Sequence, residues 1–509
     1  MTDATTPEVG GRGGGDHLRI LSGTTQNVVG IVIAGLATAI ANVLLSRTLG
    51  REGFGVVTVA TQAAFVASFA TRAGMDMAVL RDVAIEVGSG HPERTRAPVA
   101  RAVAIAAAVS AVAAVAAFAA ADALGSLLSL DAEAGRSVIG YAALGLPFLA
   151  IANVWLAATR GLKIMRYTLY VFWAGQPVLW VVLMIAGWRF SETPWMAVLA
   201  YSLSWAGAGA AAFWAWRRES RGWDVSAPEP GDVPKLLRYA GPRAPAALFS
   251  QLLFWADLFV LTNYVDDREV GVYSAVLRAG QVVVLFLTSV NLMFSPYVAD
   301  LHARGEIRRL DNLFKTLTRW TLAATLPAFV LLAVVPGSVL RIFGGGFDEG
   351  RSALVILLAG QLVNIATGSV GFVLIMVGRT TADLAIYAAS LVVDVVLAVI
   401  LCARYGMEGA AIANAITFAF SNSIRLLLVK RSVGIWPYDR SYLRLVPPTA
   451  AAAGVMVLAH AAAPGSWTLD LLVTAATGFL AYVLVYLAVG LLPAERAAAL
   501  GFLRRTKAG

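Results

Sequence analysis

Residues 251–306 read QLLFWADLFVLTNYVDDREVGVYSAVLRAGQVVVLFLTSVNLMFSPYVADLHARGE. Two long apolar segments are joined here by an acidic hairpin, Asp266, Asp267, Arg268 and Glu269. Each apolar segment carries one charge well inside it. Asp257 precedes the end of the first segment at Tyr264 by seven residues, and Arg278 lies nine or ten residues into the second. At a helical rise of about 1.5 Å per residue, both sit roughly 10–14 Å below the same surface. The segments are antiparallel neighbours, so the two charges are expected to face each other. An ionisable group at that depth in a bilayer is costly, and it faces a partner or a wet cavity. The spacing therefore predicts a transmembrane hairpin with a functional polar centre.

The remaining composition fits a membrane. Of 509 residues 59% are hydrophobic and only 14% charged, with a mean hydropathy of +0.73. Soluble domains carry nearer one-quarter charged residues, and apolar runs of about 20 residues mean membrane helices. A single cysteine, Cys402, excludes an internal disulfide. Residues 1–24 are polar and Gly-rich and read as a disordered cytoplasmic tail. The first apolar run is too long for a signal peptide and reads as a retained helix. The net charge of +9 would suggest nucleic acid on a soluble protein. Here the basic residues segregate to one side of the membrane, and no nucleic-acid partner is expected.

About 14 transmembrane helices fit between residues 25 and 492. Alternate connections are basic. They carry Arg81, Arg94, Arg96 and Arg101; Arg160, Lys163 and Arg166; Arg217, Arg218, Arg221 and Lys235; Arg304, Arg308, Arg309, Lys315 and Arg319; and Lys430, Arg431, Arg440 and Arg444. The intervening connections are short and poor in Lys and Arg, which places both termini in the cytoplasm. The longest polar interruption, 217–235, reads as a cytoplasmic linker between an N-lobe (25–216, six helices) and a C-lobe (236–430, six helices). Residues 431–509 hold the last two spans and a tail. A shift of 216 residues lays LLSRTLGREGFGVVTVATQAAF, from Leu44, on VLTNYVDDREVGVYSAVLRAGQ, from Val260, and puts Gly55 on Gly271. The fold class is thus all-α integral membrane, with two pseudo-repeated six-helix lobes plus two C-terminal helices. Parallel repeats of this kind are transporter architecture.

At this point the residues resemble a family. Ser46-Arg47-Thr48-Leu49-Gly50-Arg51-Glu52-Gly53-Phe54-Gly55 looks like the hairpin after the first helix of polysaccharide flippases. Asp257, Gly271-Val272-Tyr273-Ser274-Ala275, Arg278 and Ser295-Pro296 resemble that family's seventh and eighth helices. Phe343-Gly344 through Phe347, Gly378-Arg379 and Tyr405-Gly406-Met407-Glu408-Gly409-Ala410-Ala411 follow in the same order. The resemblance is to the multidrug/oligosaccharidyl-lipid/polysaccharide superfamily. It implies a central cavity, alternating access, and export of polyprenyl-pyrophosphate-linked oligosaccharide units across the cell (inner or plasma) membrane. Implied partners are the lipid-linked oligosaccharide, membrane lipids, a polysaccharide polymerase and glycosyltransferases. Asp394 stands where the resemblance leads one to expect Asn.

Candidate site residues follow from depth and charge. Arg278 and Asp257 either lock their helices or line the cavity, Arg278 meeting substrate phosphate and Asp257 coupling to Na+ or H+. A guanidinium matches phosphate geometry better than an ammonium does. Gln281, Asn291 and Asn42 are candidates for sugar hydroxyls. Arg72 and Asp76, one turn apart, form a snorkelling pair or a cytoplasmic gate. Asp394 falls near the midplane. Trp205 and Trp255 read as belt or core residues. No cofactor is expected, no nucleotide-binding loop G-x-x-x-x-G-K-[ST] occurs, and no metal-spaced cluster occurs. The chain thus reads as a carrier and not an enzyme. The alternatives are a cation-coupled drug exporter, which would want an acidic aromatic cavity, and a membrane glycosyltransferase or polymerase, which would want a long outer loop. A lipid II flippase is expected to carry several first-lobe cavity arginines, and only Arg72 is found.

Overall fold

A computed structural model describes residues 12–130, 132–223, 232–462, 465–492 and 495, with side chains of 12–34 and 132–134 and scattered later ones undescribed. The linker expected at 217–235 therefore lies partly outside the described residues, as do the side chains of Lys235, Ser295 and Pro296. The chain is all-helical among the described residues. The first lobe comprises α1 (Arg12–Thr71), α2 (Met75–Gly88), α3 (Arg96–Ala119), α4 (Ala121–Leu127), α5 (Ala132–Gly161), α6 (Gln176–Trp188, entered through a π-helical turn) and α7 (Pro194–Glu219). The second comprises α8 (Asp232–Leu252), α9 (Ala256–Leu261), α10 (Asp267–Gln281), α11 (Leu285–Ala303), α12 (Ile307–Val334), α13 (Pro336–Leu340), α14 (Arg351–Thr367), α15 (Val370–Met376) and α16 (Thr380–Ser432). The pair α17 (Val446–Ala462) and α18 (Trp467–Val485) closes the chain. Residues 12–24, expected as a tail, instead extend α1, continuing the helical ladder of the first span.

Eleven of the described helices are long and apolar enough to cross a membrane, against the expected fourteen. The difference lies in three places. The first and second expected spans form one helix, α1, broken only at Gly50 (φ 70°). The eleventh and twelfth form α16, broken at Gly406 (φ 52°). Both breaks need a left-handed backbone that glycine adopts without penalty. The expected seventh span is divided at residues 253–255 into α8 and α9. The Gly406 break reverses the chain. A Cβ on Gly409 would lie 2.3 Å from the Leu401 carbonyl oxygen, although a straight helix sets residues eight apart about 12 Å apart.

The connections gather at two ends. At one, here called the hairpin end, Ser46 Oγ donates to the Phe343 carbonyl (2.7 Å) and Arg47 Nε to the Ile342 carbonyl (2.9 Å). Arg51 pairs with Glu349 (2.6 Å), and the Met407 N–H donates to Glu269 (2.8 Å). The other, basic end holds Arg96 against the Trp223 carbonyl (2.7 Å), Arg166 on Glu219 (2.9 Å) and the Trp436 N–H on Asp311 (3.0 Å). Arg319, counted above among the basic loop residues, is instead buried. Its guanidinium pairs with Glu495, whose carboxylate also accepts from Trp320 Nε1.

The lobes meet through their repeated glycines. A Cβ on Gly271 would fall 1.8 Å from the Arg51 carbonyl oxygen, and one on Gly55 would fall 2.6 Å from that of Asp267. The 216-residue shift exchanges these two contacts, taking Arg51 to Asp267 and Gly55 to Gly271. The contact is therefore two-fold related, as in an isologous interface. Buried apolar side chains follow the same plan. Towards the hairpin end one cluster is common to both lobes, from Leu45, Phe54 and Val138 to Tyr273, Phe347 and Ala410. Towards the basic end the core divides. Met75, Val79, Val99 and Ala158 pack with Leu236 and Ala240 of α8, while Phe294, Phe314, Val373 and Val429 form a separate second-lobe cluster.

Candidate functional site

Asp257 and Arg278 do not pair. The break at 253–255 sets Asp257 in the first turn of α9, where it is fully buried. Its Oδ2 accepts from the Tyr273 hydroxyl and from Asn414 Nδ2 (3.3 Å), and its Oδ1 has no protein partner. Tyr273 and Arg278 are five residues apart on α10, which turns them about 140° from each other around the axis. The face that carries Tyr273 to Asp257 therefore carries Arg278 elsewhere.

Arg278 points to the seam between the lobes. Its guanidinium lies 4.9 Å from the centre of the Trp255 ring, and Nη1 donates to Gln281 at 3.5 Å. Across the seam, α7 of the first lobe contributes the buried Tyr201 to the same core cluster as Trp255. Tyr201 packs edge-on to Trp180 (5.2 Å) and Trp205 (6.3 Å), and Trp205 on Phe172 (5.4 Å). Arg278 Nε is buried without a partner. A guanidinium against a ring face gains cation–π attraction and keeps its in-plane donors for an anion.

A second centre is confined to the second lobe. Asp394, on the outgoing arm of α16, is fully buried, and the returning arm brings back along it Asn414, which donates to Asp257. Neither Asp394 oxygen completes a hydrogen bond, although the Thr417 hydroxyl is beside it. Two carboxylates with three unmet oxygens between them are stable only when a proton or a cation is shared. Tyr273 closes the same centre through its hydroxyl on Asp257.

The other expected residues are dispersed. Asn42, buried on α1, donates to the Thr38 carbonyl (2.7 Å) and leaves Oδ1 unmet. Asn291 is half-buried on α11. Arg72 and Asp76 do pair, at 3.1 Å, but across a break and not within a helical turn, because Ala73 and Gly74 are left-handed (φ 50° and 70°). Arg72 is buried against the Phe69 ring at 3.8 Å. A cleft of about 470 Å3 lies away from all of these, between the second lobe and the C-terminal pair, and is lined by Ser338, Arg341, Asp348, His460, Trp467 and Asp470. Sequence reasoning missed Tyr201, Asn414 and Thr417 as site residues. Polar and aromatic residues in a span carry no mark of which face they occupy. Tyr273 was visible as part of the Gly271–Ala275 motif but without a role.

Comparison with known proteins agrees with this architecture. The profile of the family described as polysaccharide biosynthesis protein matches residues 20–302, more than half of the chain, and that of the MatE family matches residues 242–400. The chain is similar to the probable low-salt glycan biosynthesis flippase Agl15 of Haloferax volcanii. The two are 22% identical over 238 residues, 47% of this chain and 50% of that one. The match thus spans about half the length of that relative. Among solved structures, the lipid II flippase MurJ in its inward closed conformation aligns with a TM-score of 0.71 at 12% identity. That alignment covers 91% of this chain and 98% of MurJ. An inward-facing MATE family multidrug resistance transporter aligns at 0.67 and 15% identity, over 80% and 98% of the two chains. A MOP superfamily transporter from Pyrococcus furiosus aligns at 0.61 and 15% identity, over 81% and 95%. These likenesses show the fold. The chain is a multi-pass membrane protein of the polysaccharide biosynthesis protein family, with the fold seen in structures of the multidrug/oligosaccharidyl-lipid/polysaccharide superfamily.

Proposed function

We propose that the protein flips polyprenyl-pyrophosphate-linked oligosaccharide units across the cytoplasmic membrane, for surface polysaccharide assembly. The observation that carries this reading is Arg278, a half-buried cation stacked on Trp255, whose Nε is buried without a partner. Its in-plane donors suit a pyrophosphate, and the Trp255 ring suits a sugar face. The basic end is the cytoplasmic one, and its arginines draw the anionic lipid head group to the membrane surface. Both termini are cytoplasmic, and the lobes are bounded at 25–216 and 236–430. The glycan enters between the lobes while the lipid tail stays in the bilayer. The Arg72–Asp76 pair gates the cytoplasmic mouth. Rocking about the Gly55–Gly271 contact then parts the hairpin end. Asp257 and Asp394 hold the coupling H+ or Na+, and the protein performs no covalent chemistry. Glycosyltransferases that build the lipid-linked unit and a polymerase that consumes it are the partners this reaction requires.

A drug exporter is the second superfamily reading, and the placement of charge argues against it. The carboxylates are enclosed within the second lobe, and the charge offered to the lobe seam is positive. The discriminating experiment is export of a lipid-linked glycan in a flippase-deficient host. Wild type restores export, and Arg278→Ala at equal membrane abundance does not. Undiminished export by Arg278→Ala sinks the reading.

A further inference from the structure

The two arms of α16 carry a polar row of which the flippase reading uses only Asp394. The outgoing arm presents Asp383, Tyr387, Ser390 and Asp394, and the returning arm Asn414, Thr417, Ser421 and Arg425. Steps of three and four residues put each set on one helix face. The faces meet in a constant antiparallel register. Leu401 lies against Gly409, Asp394 beside Thr417, and Asp383 pairs with Arg425 at 2.9 Å. That register sets Ser390 between Thr417 and Ser421. Apart from half-buried Tyr387, every member is at most 5% exposed.

Unmet hydrogen-bonding atoms concentrate in this row. They are Asp394 Oδ1 and Oδ2, Asn414 Oδ1, Thr417 Oγ1, Ser390 Oγ and Arg425 Nη2, with Asp257 Oδ1 at the inner end. A buried polar atom without a partner is destabilising, and so many in one line cannot be left dry. Buried polar groups left unmet in this way are what buried water bridges. At the basic end the row finishes in a closed contact. Arg425 donates from Nε to Asp383 and from Nη1 to Ser421, and stacks on Tyr387 at 4.1 Å.

We propose that the seam between the arms of α16 is a water-lined passage from the basic end to the Asp257–Asp394 pair, with Arg425–Asp383 as its plug. The monovalent cation that neutralises the pair enters there, and not through the space between the lobes. Cation and glycan then reach the protein by separate routes, and the cation never passes the Arg278 charge. This rests on the reading that the carboxylate pair is the coupling site, but the passage can be tested without transport.

The test is cysteine accessibility in full-length protein. The sole native thiol is removed as Cys402→Ala. Ser390→Cys and Thr417→Cys are probed with a small cationic methanethiosulfonate that does not cross membranes, in inside-out and right-side-out vesicles. Ala398→Cys is the control, because it is fully buried on the same face, one turn beyond Asp394. Seam cysteines are expected to react from the basic side only, and the control from neither side. Asp383→Asn should raise the Ser390→Cys rate about tenfold by opening the plug. Arg425→Gln serves if Asp383→Asn lowers membrane abundance. Slowing of the Thr417→Cys reaction by sodium but not choline names sodium as the cation, and slowing by neither names the proton; both support the passage. Seam cysteines as inert as the control in every background, or reactive only from the hairpin side, overturn it. Correct labelling together with full glycan export by Asp394→Asn would leave the passage standing and refute the coupling role.

Discussion

Arg278 and Asp257 are bound into different neighbourhoods, so their substitutions are expected to separate. Arg278→Lys retains the charge but loses the planar fork, and glycan export should fall while membrane abundance holds. Exchanging the two, Asp257→Arg with Arg278→Asp, should not restore export, because no contact joins them to be rebuilt. Recovery by the exchange would contradict the geometry. Tyr273→Phe removes a donor from a fully buried carboxylate that already has one unmet oxygen, and should cost about 1–3 kcal/mol. Thermal unfolding of the detergent-solubilised protein measures this, and an unchanged midpoint would count against the assignment. The two charges were legible in the sequence because an ionisable residue inside an apolar run stands out. Their partners were not. Matched depth says nothing about rotation around each helix, and the break at 253–255 follows no Gly or Pro that would have announced it. Asp394 was legible as a charge near the midplane. That it shares a site with Asp257 depends on the fold of α16, which brings Asn414 and Thr417 back across it.

Among the elements, the helices were read well and their junctions less so. Hydropathy gives length and sidedness of each apolar run, but a hairpin tight enough to be one helix with a single left-handed residue reads as two spans. The glycines that matter at close approach are position-specific, and they supply a prediction. Gly271→Ala has no room beside the Arg51 carbonyl and should destabilise by about 1–3 kcal/mol, as overpacking does. Gly345→Ala, with nothing within 4 Å, should be close to neutral. Melting of the two purified variants compares them directly, and equal midpoints would remove the glycine contact from the account. The C-terminal pair is fixed through a buried charge. Glu495→Ala strands Arg319, which is 1% exposed, and should cost about 3–5 kcal/mol. A loss of under about 1 kcal/mol, as expected of a surface pair, would contradict that burial.

For the whole molecule, the repeat in sequence became a two-fold contact in space, with one large core shared at the hairpin end and smaller separate clusters at the basic end, one of them joining α8 to the first lobe. That distribution was legible in outline from loop charge and the 216-residue shift. The particular closing contacts were not, because they join residues nearly 300 apart in sequence, as in Arg51–Glu349 and Ser46–Phe343. They make the central claim testable. If substrate crosses by parting of the lobes at the hairpin end, a covalent tie there must stop it. In a Cys402→Ala background, Arg51→Cys with Glu349→Cys, joined by a short thiol-cleavable cross-linker, should abolish glycan export, and cleavage of the linker should restore it. Export that continues with the cross-link complete would contradict alternating access between these lobes.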